Sequence, residues 1–170
     1  KEDAVREIIK RYEQAKDGVV EGIKMPYQRI NELTGGVHKG QVTLIVGRGG
    51  RGKSMMLCQW MNDLGISGVP YTSFAFEDGI DIQMARIASC LGSYSHYSCS
   101  MGFASPQTLE TAREALNAVK GYDSEYVQRK LTVEEIKNRL FTDKNKRNIQ
   151  IAFIDGFKDI RRPANKYNDV

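Results

Sequence analysis

Eight consecutive residues of this 170-residue chain have the types and spacing to hold a phosphate. Gly47, Arg48, Gly49, Gly50, Arg51, Gly52, Lys53 and Ser54 read G-x-x-x-x-G-K-S. Glycines at these positions let backbone N–H groups converge on an anion, Lys53 adds a point charge for the outer phosphates, and the Ser54 hydroxyl is a hard oxygen ligand suited to Mg2+. Two carboxylates stand where such a loop needs them. Asp155 ends the apolar run 149–154, the pattern of a second nucleotide motif in which a strand-terminal Asp holds Mg2+ through water. Glu77 closes the apolar stretch 71–76. Hydrolysis of a nucleoside triphosphate requires a group that orients and deprotonates water beyond the γ-phosphate. Many phosphate-loop ATPases carry that Glu directly after the metal-binding Asp, where this chain has Gly156. Glu77 is the better candidate, because the C-terminal ends of neighbouring parallel strands open onto one crevice. Asp78 is the alternative, although Asp78-Gly79 is also turn chemistry. A glycine-rich turn, a turn-forming Asp and a strand-ending Glu are the plainer readings of the same residues. The apolar run 42–46 before the loop and the helical pattern after it favour phosphate chemistry.

These groups need elements to hold them. Residues 41–46 are apolar enough for a strand buried on both faces, and residues 53–64 read as a helix with Met56, Leu57, Trp60, Met61 and Leu64 facing the core. Residues 71–76 are a second strand and 80–91 a second helix, so strand and helix alternate as in a parallel sheet. A Ser- and Tyr-rich loop follows over 92–101. Next comes a helix over 106–119, capped by Ser105, with Leu109, Ala112, Ala115, Leu116 and Val119 inward. Residues 121–130 are expected to be exposed and mobile. Thr132 and Glu135 have the spacing of a capping box for a helix ending near Phe141; a basic turn over 144–147 and the strand 149–155 come after it. Upstream, Val5, Ile8, Ile9 and Tyr12 form one narrow face of an amphipathic helix over residues 1–16, ending near Asp17-Gly18. That face either packs on its own domain or docks on a neighbouring subunit. Residues 19–39 are irregular, with a short helix over 27–33.

Composition sets bounds without choosing a function. The length is that of one domain, 41% of residues are hydrophobic, and no signal-peptide or membrane-span pattern occurs, so a soluble cytoplasmic protein without membrane attachment is expected. Cys58, Cys90 and Cys99 fit neither a paired disulfide set nor a metal pattern. The net charge of +4 is compatible with a nucleic-acid partner and too small to argue for one. Its distribution says more: residues 156–166 after Asp155 carry Lys158, Arg161, Arg162 and Lys166.

Taken together, Gly35-Gly36-Val37-x-x-Gly40, the loop 47–54, Phe76-Glu77, Arg86, the run 131–136 and Ile154-Asp155 resemble the ATPase domain of DnaB-type hexameric replicative helicases, a group with phage members. The resemblance implies an α/β fold of the RecA-like kind, a mostly parallel sheet flanked by helices and incomplete at its C-terminal end. It implies a linker or docking helix over residues 1–18 and the N-terminal part of a RecA-like ATPase domain over 19–170. ATP and Mg2+ would be bound at 47–54 and Asp155, with Lys53 and Glu77 catalytic and Ser54 and Asp155 on the metal. Lys158, Arg161, Arg162 and Lys166 would contact single-stranded DNA in the channel of a hexameric ring joined through the N-terminal helix, with a primase or loader as further partner.

Two positions depart from the family pattern, Gly49 where Pro is frequent and Gly156 where an aromatic is frequent; neither change removes a chemical group. The family's further strand, polar sensor and arginine finger have no counterpart here, so a fragment is expected that binds nucleotide weakly and does not unwind DNA alone. A strand-exchange or signalling ATPase, and a nucleotide-gated assembly or loader module without unwinding, are the competing functions.

Overall fold

The structure, a computed structural model, describes residues 2–16 and 22–161. Clustering of backbone contacts divides the chain into two compact units, Lys1–Arg48 and Gly49–Val170.

The first unit holds helices α1 (Glu2–Lys16) and α2 (Gln28–Thr34). Helix α1 is amphipathic as expected, yet its stripe stays open to solvent: Val5, Ile8, Ile9 and Tyr12 are 46–72% exposed. Helix α2 ends at Gly35 in the left-handed conformation, and an antiparallel bridge joins Ile23 to Val37. Residues 41–46 correct the sequence reading. They pair with no strand of the described sheet, and Val42, Leu44 and Val46 are largely exposed. Apolar composition alone does not make a strand, because each extended backbone N–H and C=O needs a neighbouring strand to bond.

The second unit is a three-stranded parallel sheet with helices on both faces. Its elements are α3 (Lys53–Ile66), β1 (Tyr71–Ala75), α4 (Ile80–Gly92), α5 (His96–Ser100), α6 (Pro106–Lys120), β2 (Ser124–Val127), α7 (Val133–Arg147) and β3 (Ile151–Asp155). A short 3-10 turn, Phe157–Asp159, follows. Strand order is β2-β1-β3, with Tyr71 opposite both Ser124 and Ile151. All five residues of β1 are buried, as a central strand covered on both faces requires. Its side chains alternate between two layers. On one side Ser73 donates to Gln83 of α4 at 2.8 Å, while Trp60 of α3 and Tyr71 both meet Phe153 edge-on. On the other side Phe74 packs with Phe76, Leu131 and Ile136, and the Thr72 hydroxyl donates to Asp143 of α7 at 2.9 Å.

Three local expectations change. Residues 121–130 contain β2 rather than a mobile loop: a polar four-residue strand carries too little apolar signal to be read, and the edge of β1 recruits it. The loop 92–101 contains α5, capped by Ser95. Helix α7 runs through the expected basic turn to Arg147, so Lys144, Lys146 and Arg147 lie in its last turn, where cations suit the helix dipole. Of the inward face expected for α6, Leu109 and Leu116 remain partly exposed. The capping box forms as expected: the Glu135 amide donates to the Thr132 hydroxyl, and the Thr132 amide donates to the Glu135 carboxylate.

Asp143 is 4% exposed and accepts from Thr72 and, with both oxygens, from Arg139 at 2.9 Å. Asp143→Ala strands the buried Thr72 hydroxyl and should cost about 2 kcal/mol in urea unfolding, whereas Lys137→Ala on the exposed face of α7 should change stability by under about 0.5 kcal/mol. The Thr132 amide, before other influences, holds the Glu135 carboxyl below its usual range. Because the folded value is the lower one, this stabilisation is present above the unfolded carboxylate range and disappears as pH falls through the folded value. Acid unfolding followed by circular dichroism should therefore show a shallower loss below about pH 4.5 in Glu135→Gln than in the wild type.

Candidate functional site

Of the glycine-rich stretch 47–54, Gly47 and Arg48 belong in sequence to the first unit and Gly49 opens the second. Within the second unit, Gly52 is the N-cap of α3 in the left-handed conformation (φ +83°) and places no side-chain cap on the first helical turn. A methyl group added at Gly49, Gly50 or Gly52 would meet nothing within 4 Å. No packing demands glycine at these three positions; at Gly50 and Gly52 the left-handed backbone favours it. Lys53 and Ser54 open that helix, half-buried. One turn on, the Cys58 thiol is pushed up to about 12 mainly by burial, with the neighbouring Cys90 adding to the shift and Arg86 opposing it.

Asp155 is the last residue of β3, opposite Ala75, and the ladder continues one step as the Phe76 amide donates to the Asp155 carbonyl at 3.0 Å. Glu77 follows Phe76, and Gly156 follows Asp155. At Gly156 (φ +88°) a Cβ would lie 2.8 Å from the Glu77 nitrogen and 2.9 Å from its Cβ. Position 156 is therefore closed to any side chain here. Sequence reasoning took Gly156 as neutral divergence and missed this contact, although a glycine directly after a strand-terminal Asp was its signal.

Beyond Gly156 the basic loop folds back on the site. The Lys158 ammonium donates to Glu77 Oε1 at 3.2 Å, and this bond, ahead of the charges of Glu77 and Asp159, raises the Lys158 pKa. Lys130 pairs with Asp159 at 2.7 Å and holds that carboxyl below its usual range. The Arg161 amide donates to the Leu131 carbonyl at 2.9 Å, and its guanidinium donates to Glu135 at 2.9 Å. Both described basic residues expected on DNA are thus in ion pairs within the chain; Arg162 and Lys166 lie outside the described residues. Asp78, the alternative base, is bound to Arg86 of α4. Glu77 remains the carboxylate presented at the sheet edge, about half exposed.

Among the described residues no group of three or more His, Cys, Asp and Glu side chains is arranged to hold a metal ion. Ser54 at the start of α3 and Asp155 at the end of β3 carry hard oxygen atoms, the ligand type that Mg2+ takes. No helix among the described residues is long and apolar enough to cross a membrane.

A parallel sheet with acids at the C-terminal ends of its strands, helices on both faces and a glycine-rich entry into α3 places the chain in the phosphate-loop α/β class, in the RecA-like arrangement. Within that class it belongs to the family described as the DnaB-like helicase C-terminal domain, whose family model matches residues 22–170. Its fold is shared with a solved structure of the ATPase domain of G40P, with a TM-score of 0.82 at 19% identity, covering 99% of this chain and 60% of that one. A DnaB-like replicative helicase, solved in a study of its interactions with primase, superposes with a TM-score of 0.79 at 16% identity over 96% of this chain and 40% of its own. The chain thus spans about three fifths or less of the length of these two structures. No curated protein matches significantly.

Gly156→Ala places a methyl group against the Glu77 backbone in a left-handed conformation, and should cost about 1–3 kcal/mol of stability by urea titration. A neutral result would mean that the two strand ends do not approach as described.

Proposed function

We propose that this chain is the nucleotide-hydrolysing part of a ring-shaped replicative DNA helicase that couples ATP turnover to movement along single-stranded DNA. Family membership supports the helicase reading. The catalytic part rests on one observation, the meeting of the Glu77 and Asp155 strand ends through the Phe76–Asp155 bond and the Gly156 contact.

In this reading the amides of the loop 47–54 and Lys53 bind the phosphates, while Ser54 and Asp155 hold Mg2+, whose charge offsets that of the phosphates. Glu77 orients the attacking water and accepts its proton. The water oxygen bonds to the terminal phosphorus, the bond to the bridging oxygen breaks, and ADP and phosphate leave. Lys158, Arg161, Arg162 and Lys166 contact strand phosphates. The open stripe of α1 serves ring assembly into a hexamer, and a primase or loader engages the whole protein.

Three variants of the full-length protein test this. Lys53→Ala should weaken ATP binding at least tenfold, measured with a fluorescent analogue. Glu77→Gln should keep binding within about twofold and lower turnover at least a hundredfold. Retained turnover in Glu77→Gln would remove Glu77 from the mechanism and favour an assembly module. Arg161→Ala combined with Arg162→Ala should weaken oligothymidine binding and reduce the slope of log affinity against log salt by about 1 to 2. An unchanged affinity and slope would remove this loop from the DNA contact.

A further inference from the structure

We propose that Lys158 is a positioning residue for Glu77: it holds the Glu77 carboxylate until a phosphate of the bound single strand takes its ammonium, so that strand binding frees the carboxylate for the attacking water. The inference rests on the proposed roles of Glu77 and of the loop after Asp155, and supplies the link between them. Both ends of the link are one contact, Lys158 Nζ to Glu77 Oε1 at 3.2 Å, between residues 81 positions apart in sequence.

Three features make the contact specific. Gly156 turns the chain at the end of β3, and its lack of a side chain lets the Glu77 backbone approach, so the 3-10 turn returns Lys158 to the carboxylate. The neighbouring charges are committed elsewhere: Asp78 binds Arg86, Asp159 binds Lys130, and Arg161 binds Glu135. Finally, the Arg161 amide is fixed to Leu131, so the far end of the loop is anchored while the Lys158 side chain remains 73% exposed. A cation held on one side by a half-exposed carboxylate and open on the other to solvent is within reach of a polyanion. While Lys158 occupies Oε1, that oxygen is not presented to water; once a phosphate takes the ammonium, it is.

The magnitude is bounded by the exposure. Solvent-exposed ion pairs shift equilibria by only about 1.4- to 5-fold, so this contact modulates turnover rather than switching it off. A weak contact is also what a single phosphate can displace.

The test uses steady-state ATP hydrolysis by the full-length protein, without DNA and with saturating oligothymidine. Lys158→Ala and Lys158→Gln should raise the DNA-free kcat about two- to fivefold, leave the KM for ATP unchanged, and reach the wild-type rate at saturating DNA. The stimulation ratio then falls by that factor. Lys158→Arg, which keeps the charge, should return the ratio toward the wild-type value. Raising salt should bring the DNA-free rate of the wild type toward that of Lys158→Ala, because screening weakens an exposed pair. A DNA-free rate at or below wild type in both neutral variants, or an unchanged stimulation ratio, overturns the proposal. Glu77→Gln run alongside separates the two levels: if it still turns over ATP, the base assignment has failed and the proposal falls with it. If it is inactive and Lys158→Ala matches the wild type, only the link has failed.

Discussion

The backbone bond from the Phe76 amide to the Asp155 carbonyl, with the close approach of Gly156 to Glu77 just beyond it, is the constraint on which the candidate site depends. Two parallel strands that begin in register at Tyr71 and Ile151 reach their ends together, and each delivers one carboxylate to the same edge. Parallel pairing matters here because antiparallel neighbours would send the two acids to opposite edges. The helices on both faces enforce the pairing. Trp60 and Ser73 tie β1 and β3 to α3 and α4, while Thr72, Phe74 and Asp143 tie the sheet to α7. Displacement of either strand by one residue would turn its core side chains toward the wrong layer, and both carboxylates would lose their place.

What the sequence makes legible follows from how local each signal is. The capping box of Thr132 and Glu135 and the cap at Ser105 are written within a few residues, and both form. Of the faces expected for α3 and α4, Trp60, Met61, Leu64, Ile87 and Ala88 are buried, while Met56, Leu57, Ile82, Ala85 and Leu91 are half-buried. Strand β1 is buried on both sides although Thr72 and Ser73 interrupt its apolar residues. Strand β2 was illegible because Ser124 and Glu125 look like loop residues; what makes them a strand is the edge of β1, more than fifty residues away. Residues 41–46 fail in the opposite sense, with strand composition and no strand bonded to them among the described residues. The loop 47–54 was recognisable as a motif because glycine spacing is itself local, whereas the contact that closes position 156 to side chains depends on a strand eighty residues earlier.

Charge is arranged with similar economy around α7. Arg139 binds Asp143 and Glu125, Arg147 binds Glu125 and Asp123, and Arg161 and Arg129 converge on Glu135. These pairs join the ends of β2, α7 and the loop after β3. Most are exposed and individually weak, but they set the orientation of the loop that carries Lys158. The buried exception, Asp143, accepts from Thr72 and with both oxygens from Arg139, and these bonds offset the desolvation of a carboxylate beneath a sheet.

The long-range register of β1 also sets a timetable for synthesis. Its partners lie at 124–127 and 151–155, so a nascent chain that has just extended past Ala75 contains neither flanking strand. At ribosomal rates of about 5–20 residues per second, the interval between positions 71 and 151 lasts about 4–16 s. During it the most buried strand of the second unit has the neighbouring helices to cover it but no β3 to bond. The central strand of the finished sheet is therefore the segment that waits longest for its neighbours, and shielding it during translation falls to the helices made around it.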